Sequence, residues 1–422
     1  MPDREFVLRK HKEHRGKIEV IGKVPVETKE QLSTYYTPGV AQVSLEINAH
    51  PETVYDYTNK GNSVAIVTDG TRILGLGDVG PEAGMAVMEG KAVLFKRFGG
   101  IDAVPLCISK GTEQEILAFL RQIEPTFGAI NMEDIEVPKV LRIVREASHT
   151  LSIPVFHDDQ QGTGVVVLAA LMNALKVAGK KKDVRIVIMG AGSAGMGIAK
   201  MLFFAGFRNL YVLDSKGLIY KGRKQDMNEF KEEIAQKTNP EGMRGTLEDA
   251  IKGADVFIGA SGRPGILKKR HIRSMADKPI VFALTNPVPE IEYEDAREAG
   301  AFIVATGRSD TRNQINNVVA FPGIMRGLLE VRATAVSEAM LYAAAEEIAR
   351  SCGKPSQESI ISSIVNKKVA LKLTENVAAA VAKAAINEGL ARVSKDPEAV
   401  KRDVRSSVRR YERIERRFAT PA

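Results

Sequence analysis

The chain has 422 residues, of which 44% are hydrophobic and 27% charged, with a formal charge of +8. That length calls for two or three domains, and that composition excludes wholesale disorder. No run of about 18 unbroken apolar residues occurs, so no transmembrane helix is expected. Cys107 and Cys352 are too few for a disulfide scaffold or a four-cysteine zinc site, and they fit a reducing cytoplasm.

The N-terminal stretch MPDREFVLRKHKEHRGK has no apolar centre, so it does not read as a secretory signal. Residues 1–23 carry +3, residues 395–422 carry +4, and everything between carries +1. Charge gathered at two ends, without a single basic face, reads as solvated surface rather than a nucleic-acid site. Residues 24–100 are rich in glycine and turn residues. They hold two apolar runs, Val64–Val67 and Ala92–Phe95, and the second reads as a strand entered from EGKAVLFK.

Residues 112–123 place Ile116, Phe119, Leu120 and Ile123 on one face of a helix. Ala129–Ile130 reads as a short strand running into Asn131, Glu133 and Asp134. Val137–Glu146 reads as a helix with Pro138 in its first turn. Pro154–Phe156 reads as a buried strand. Residues 163–178 form a long apolar helix. From there strands alternate with helices: residues 184–189, Asn209–Leu213, Val256–Ile258, Ile280–Leu284 and Phe302–Ala305. Such alternation indicates a parallel sheet covered on both faces, with a domain boundary near residue 160. Residues 335–393 are alanine-rich and helical. The tail sets Val400, Val404, Val408, Tyr411, Ile414 and Phe418 on one helical stripe, fit to pack on this chain or on a second subunit.

Gly190-Ala-Gly192-Ser-Ala-Gly195 follows a strand and opens a helix, the context that gives a GxGxxG its meaning. Gly190 allows the tight turn, Gly192 the approach of a pyrophosphate, and Gly195 close helix–strand packing. The helix start at Ser193 and Ala194 offers free N–H groups and a positive dipole end to phosphate. Asp214 lies 19 residues after Gly195 and would bind the hydroxyls of an adenine ribose, as in NAD enzymes. Ser215 and Lys216 follow at once, with Lys221, Arg223 and Lys224 behind them, and these would suit the 2′-phosphate of NADP. The choice between NAD and NADP stays open.

Carboxylates recur where strands end: Glu133 and Asp134, then Asp158 and Asp159. Clustered carboxylates repel unless a proton, a base or a cation intervenes, and hard oxygen donors suit Mg²⁺ or Mn²⁺. Solvated loop ends would look the same. His157, alone, reads as structural. Lys91 would have to lose several pKa units to serve as a base near neutrality, through desolvation and nearby positive charge. Tyr36 sits on a turn set by Pro38 and Gly39.

TYYTPGVA, VTDGTRILGLGDVG, MEGKAVLFKRFGGIDA, INMEDIEVPK, VFHDDQQGTG, GAGSAGMG, ALTNPVP and NNVVAFPGI occur in that order. Over roughly residues 30–330 this series resembles the malic enzymes, in their short prokaryotic form. The resemblance implies an N-terminal α/β domain for substrate and metal (residues 1–160), a Rossmann-like doubly wound domain for NAD or NADP (161–335) and a C-terminal helical segment (336–422). It implies oxidative decarboxylation of L-malate to pyruvate and CO₂, in a cytoplasmic homodimer without nucleic-acid or membrane partners. Glu133, Asp134 and Asp159 would hold Mg²⁺ or Mn²⁺. Lys91 would be the general base with Asp158 as its partner, and Tyr36 the general acid. Arg72 would clamp a malate carboxylate. Asn286 and Asn317 would contact malate and the nicotinamide side, with Asn316 beside them, and Ser261 lies in the loop under the cofactor. Two other readings remain: an amino-acid or 2-hydroxy-acid dehydrogenase without decarboxylation, and a non-catalytic NAD(P)-binding redox sensor.

Overall fold

The computed structural model describes residues 3–364 and 366–418, the side chains of Arg417 and Phe418 excepted. Strands β1 (Ser63–Thr68), β2 (Asp102–Cys107), β3 (Ala129–Met132) and β4 (Val155–His157) form one parallel sheet in the order β2-β1-β3-β4. Strands β5 (Ile186–Met189), β6 (Leu210–Asp214), β7 (Gly217–Leu218), β8 (Val256–Gly259), β9 (Ile280–Ala283) and β10 (Ile303–Thr306) form a second, ordered β10-β9-β8-β5-β6-β7. All of its pairs are parallel except β6–β7. Each residue of β1, β3, β5, β8, β9 and β10 is buried. Near-continuous apolar runs are what a parallel sheet covered on both faces requires. The second sheet has the Rossmann-like strand order, and its direction reverses between β5 and β8, where a crevice opens at the strands' carboxyl ends. The fold is α/β throughout.

One expected strand is a helix. Ala92–Phe95 lies inside the 19-residue helix Pro81–Gly99, whose buried residues Gly84, Met88, Ala92, Phe95 and Gly99 step by three and four. Its core face reads along the helix, while four adjacent apolar letters mimic a strand. Residues 24–62 likewise hold three short α-helices and two 3-10 helices rather than turns alone. Pro138 precedes the helix Lys139–Thr150 as its cap instead of lying within its first turn.

The wide turn Asp158–Gly162 runs directly into the helix Thr163–Ala178. Together they are long and apolar enough to cross a membrane, by length and composition. The turn supplies the polar letters that break the apolar run, and 72% of the apolar window is buried inside the protein, as in a core helix. This helix crosses Ser193–Phe204 at glycines. A Cβ on Gly197 would lie 1.8 Å from the Gln160 carbonyl oxygen, so the helix after the GxGxxG turn rests on the acidic turn itself.

The tail helix Pro397–Phe418 packs on this chain. Val400, Val404 and Val408 are buried, and the helix lies against Pro81–Gly99 and Lys367–Asn387. Arg97 pairs with Glu412 and Glu415 across that contact, and Arg405 grips Glu375 with two bonds of 2.8 and 2.7 Å. The side chain of Phe418 lies outside the described residues. The N-terminal helices Arg4–His14, Lys29–Tyr35 and Val40–Ala49 differ: none has a buried residue.

Candidate active site

Two crevices meet in the chain. The first is the turn after β5. Gly190 has φ +123°, and a Cβ there would lie 2.2 Å from the Ala260 carbonyl oxygen. A Cβ on Gly195 would lie 1.9 Å from the Gly190 oxygen, so only glycine allows this approach. A Cβ on Gly192 would meet nothing within 4 Å, which leaves open space at the start of the helix Ser193–Phe204. The residues thus fit a pyrophosphate: free N–H groups, a helix dipole and room on one side.

The loop after β8 passes beside this turn. Its Ser261 donates from both backbone and hydroxyl to Glu290 Oε1, at 3.0 and 2.9 Å. Thr285 donates from backbone N to Oε2 at 3.1 Å and from its hydroxyl to Oε1 at 2.5 Å. Glu290 is fully buried and has no cation partner among the described residues. It ties the Ser261 loop to the loop of Asn286, which is exposed. Sequence reading missed Glu290, since one glutamate in a proline-rich loop carries no signal of burial.

The second crevice is acidic. Lys91, from Pro81–Gly99, puts its ammonium 2.6 Å from Glu133 Oε1 and in a short hydrogen bond with Asp158 Oδ2. The same nitrogen lies 4.3 Å from the centroid of the Phe321 ring. Asn317 Nδ2 donates to Asp158 Oδ2 and to its backbone oxygen, each at 3.2 Å. Asn131 Nδ2 donates to Glu133 Oε1 at 2.7 Å. The Asp134 backbone N–H donates to Asp159 Oδ2 at 3.1 Å, while the Asp134 carbonyl accepts from the Arg72 N–H at 3.0 Å. His157 is fully buried, its Nε2 is 3.5 Å from Asp159 Oδ2, and neither ring nitrogen has a hydrogen-bond partner among the described residues.

Two carboxylates therefore contact one ammonium, with two more close by. Burial, and then the neighbouring Asp158, Asp159 and Asp134, push Glu133 well above the usual carboxylate range against the pull of Lys91. Burial, and then Asp159, raise Asp134 to about 7. Burial pulls Lys91 down, but Asp158 and Glu133 reverse this and hold it above the ordinary lysine range. The desolvation that a base needs is present. Among the described residues, none beside it supplies the positive charge that would lower it.

Among the described residues, no three carboxylate, imidazole or thiolate groups converge on one coordination point. Glu133 is turned to Lys91, and Asp159 is occupied by the Asp134 N–H. The cluster still fits a hard divalent cation in charge and donor type, since its excess negative charge is otherwise relieved only by protons.

The structure brings together Lys91, Glu133, Asp158 and Asn317, with Asp134 and Asp159 beside them. It leaves others apart. Tyr36 is 66% exposed and its hydroxyl has no hydrogen bond among the described residues. The Arg72 side chain is exposed. The Asn316 Oδ1 accepts from the Val318 N–H at 3.0 Å, closing the short turn Asn317–Val319. Asp214 is also spent, as an ion-pair partner of Arg223 and Lys231, rather than open to a ribose.

The sequence profile described as the malic enzyme NAD-binding domain matches residues 160–386, and that of the malic enzyme N-terminal domain matches residues 15–118. The chain belongs to the malic enzyme family. It is 50% identical to the bifunctional malic/malolactic enzyme of Bacillus subtilis over 94% of this chain and 96% of that protein. It is 44% identical to the NADP-dependent malic enzyme of Halomonas elongata over 89% and 92%. The malic enzyme structure from Pyrococcus horikoshii superposes with a TM-score of 0.92 at 44% identity, covering 97% of each chain. The enzyme carries out the oxidative decarboxylation of malate to pyruvate and CO₂ with NAD or NADP. A divalent metal is general to this family. The readings as a plain dehydrogenase or a non-catalytic sensor give way to this membership.

Proposed function

We propose that Lys91 is the general base on the C2 hydroxyl of L-malate, with Asp158 as its proton partner. The observation that carries this is a buried ammonium bridging Glu133 and Asp158, with Asn317 bonded to the same Asp158 oxygen. Glu133, Asp134 and Asp159 would hold Mg²⁺ or Mn²⁺. The nucleotide supplies a hydride acceptor, and the metal a Lewis acid at the carbonyl.

Lys91 would first yield its ammonium proton to Asp158 when a neighbouring cation lowers its pKa, and as the neutral amine would then take the hydroxyl proton. Asn317 keeps the Asp158 carboxylate aimed at that nitrogen. The Phe321 ring excludes water from one side of the ammonium. The Arg72 guanidinium neutralises a malate carboxylate with paired N–H bonds. Asn286 and Asn317 orient malate and the nicotinamide, and Glu290 fixes the two loops bearing Ser261 and Asn286. Tyr36 returns a proton to C3 of the enol. The division into residues 1–160, 161–335 and 336–422 follows these roles.

The working form is a homodimer. Its support is the N-terminal arm, where Val20 is 99%, Leu45 69% and Val26 58% exposed. Large apolar side chains left this exposed on one arm are the kind of surface that a second copy can cover. A second copy covering these arms would also bring Tyr36 out of bulk water. Two unbridged cysteines support action in the cytoplasm.

The test is reduction of NAD⁺ and NADP⁺ in parallel by purified enzyme with L-malate, with and without Mn²⁺ or Mg²⁺, and with pyruvate assayed in the same tubes. Metal-dependent reduction matched by pyruvate supports the reading. Reduction without pyruvate refutes the decarboxylating role of the acidic site.

A further inference from the structure

The tail helix Pro397–Phe418 buries Val400, Val404 and Val408 on one face. Another face carries Arg402, Arg405, Arg409, Glu412, Arg413 and Arg416, which step by three and four and line a shallow depression of about 590 Å³. Every carboxylate on this helix is drawn elsewhere. Glu398 pairs with Lys401, Asp403 with Lys395, and both Glu412 and Glu415 with Arg97. Within the stripe, Arg405 has Glu375 as its partner. Arg402, Arg409, Arg413 and Arg416 are exposed, and they have no ion pair or hydrogen bond among the described residues.

Guanidinium groups three and four residues apart on a helix repel one another. The helix dipole favours cations in the last turn, so it offsets this at Arg416 and not at Arg402 or Arg409. The described part of the chain thus builds a line of positive charge and supplies nothing to neutralise its outer side.

Guanidinium holds phosphate oxygens through paired N–H bonds. At 1.5 Å per residue, Arg402 and Arg416 lie about 21 Å apart along the axis. A single phosphate meets one turn of this stripe, while a chain of phosphates meets successive guanidiniums. No aromatic side chain lines the depression, so nucleic-acid bases have nothing to stack on. Val400, Val404 and Val408 are unavailable to a lipid surface because they are buried. A second copy would present the same charge and be repelled.

We propose that this face binds an oligophosphate chain, with Arg409 and Arg413 at its centre. The site lies against the catalytic half. Arg97, held by Glu412 and Glu415, is six residues beyond Lys91 in the helix Pro81–Gly99. At Gly100, which ends that helix, a Cβ would lie 2.6 Å from the Ser407 Cβ, so the two helices touch. An anion on the stripe relieves the repulsion along the tail helix and secures its contact with the helix that bears Lys91, without entering the active site.

The test is calorimetric titration of the full-length enzyme with tripolyphosphate in EDTA, beside melting curves. Saturable binding and a raised melting temperature are expected. Arg409→Gln and Arg413→Gln should each weaken binding about tenfold, as for a lost charge-assisted bond, and together should abolish the melting shift. Arg410→Gln removes an exposed arginine outside the depression and should change neither readout. All three variants should keep the parent's malate turnover. ATP binding lost in the double variant assigns a chain carried on a nucleoside; ATP binding unchanged there assigns the free chain. Absence of saturable tripolyphosphate binding overturns the proposal. So does equal weakening by Arg410→Gln, which makes the attraction diffuse, or equal affinity for orthophosphate, which needs one turn alone. Tighter binding of a single-stranded RNA oligonucleotide overturns it as well, and gives the face to nucleic acid.

Discussion

Replacing Lys91 with alanine removes the one ammonium placed between Glu133 and Asp158. Its side chain is 13% exposed and theirs are 6% and 2%, so solvent screens these pairs weakly. Losing one partner of a buried pair costs about 3–5 kcal/mol. The low end applies here, because Glu133 is already pushed toward its protonated form and takes up a proton when the ammonium leaves. About 3 kcal/mol spread over the unfolding entropy of a 422-residue chain lowers the melting temperature by about 3–4 °C. The catalytic loss is of another size. A proton-transfer partner contributes about 10²–10⁴-fold, or about 3–5 kcal/mol of barrier. The assay is single-turnover reduced-nicotinamide formation with L-malate and Mn²⁺, beside Mn²⁺ binding by electron paramagnetic resonance and nucleotide binding by calorimetry. Both binding readouts should survive while the chemical step falls. Lys91→Arg separates charge from proton transfer, since guanidinium keeps the charge and does not give up its proton. It should melt like the parent and still fail to oxidise malate. Turnover within about fivefold of the parent in either variant would refute the assignment of the base.

Tyr36→Phe should preserve malate oxidation better than tautomerisation of added enolpyruvate, and equal loss of both half-reactions would contradict its role as acid. Leu45→Asp changes a side chain that is 69% exposed in the single chain, where surface substitutions usually shift stability by less than about 0.5 kcal/mol. Light scattering should nonetheless show a smaller particle, with activity lost in parallel; an unchanged particle would argue against the arm as the dimer contact. Asp134, held at about 7 by burial and then by Asp159, keeps a proton in the folded metal-free protein that the unfolded chain has released. Its folded pKa is raised, so stability in EDTA should fall as pH climbs from about 4 through 7. Asp134→Asn should flatten that fall, and Mn²⁺ should cancel it in the parent; melting curves from pH 5 to 8 with both proteins check the sign.

The nucleotide half of the molecule was legible because its signals are local. A buried parallel strand reads as Ile-Val-Ile-Met, and the turn that follows needs glycine where a Cβ would strike backbone. The acidic cluster was legible as letters at strand ends, since the carboxyl ends of β3 and β4 bring Glu133 and Asp158 together. Its partners were not. Asn131, Phe321 and Glu290 act through contacts that sequence order does not announce. Helix Pro81–Gly99 was misread because Ala92–Phe95 shows four apolar letters in a row, and only its packing reveals the three- and four-residue steps. Asp214 was seen as a carboxylate at the right distance from Gly195, yet its state depends on Arg223 and Lys231, nine and seventeen residues further on.

The helix that carries Lys91 is held from the far end of the chain. Arg97 reaches Glu412 across 315 residues, and Val404 and Val408 are buried in the same contact region. On the ribosome, the segment bearing the base must therefore wait, exposed along one flank, until residues 404–412 have emerged. Loop closure over such a separation is slow compared with the local pairing of β1, β3 and β4. The dinucleotide sheet closes entirely within its own span of sequence and is complete while the catalytic helix is still waiting. Nascent chains arrested before residue 400 should accordingly bind nucleotide and remain inert toward malate, which makes the arrival of the helix Pro397–Phe418 the event that switches the catalytic half on.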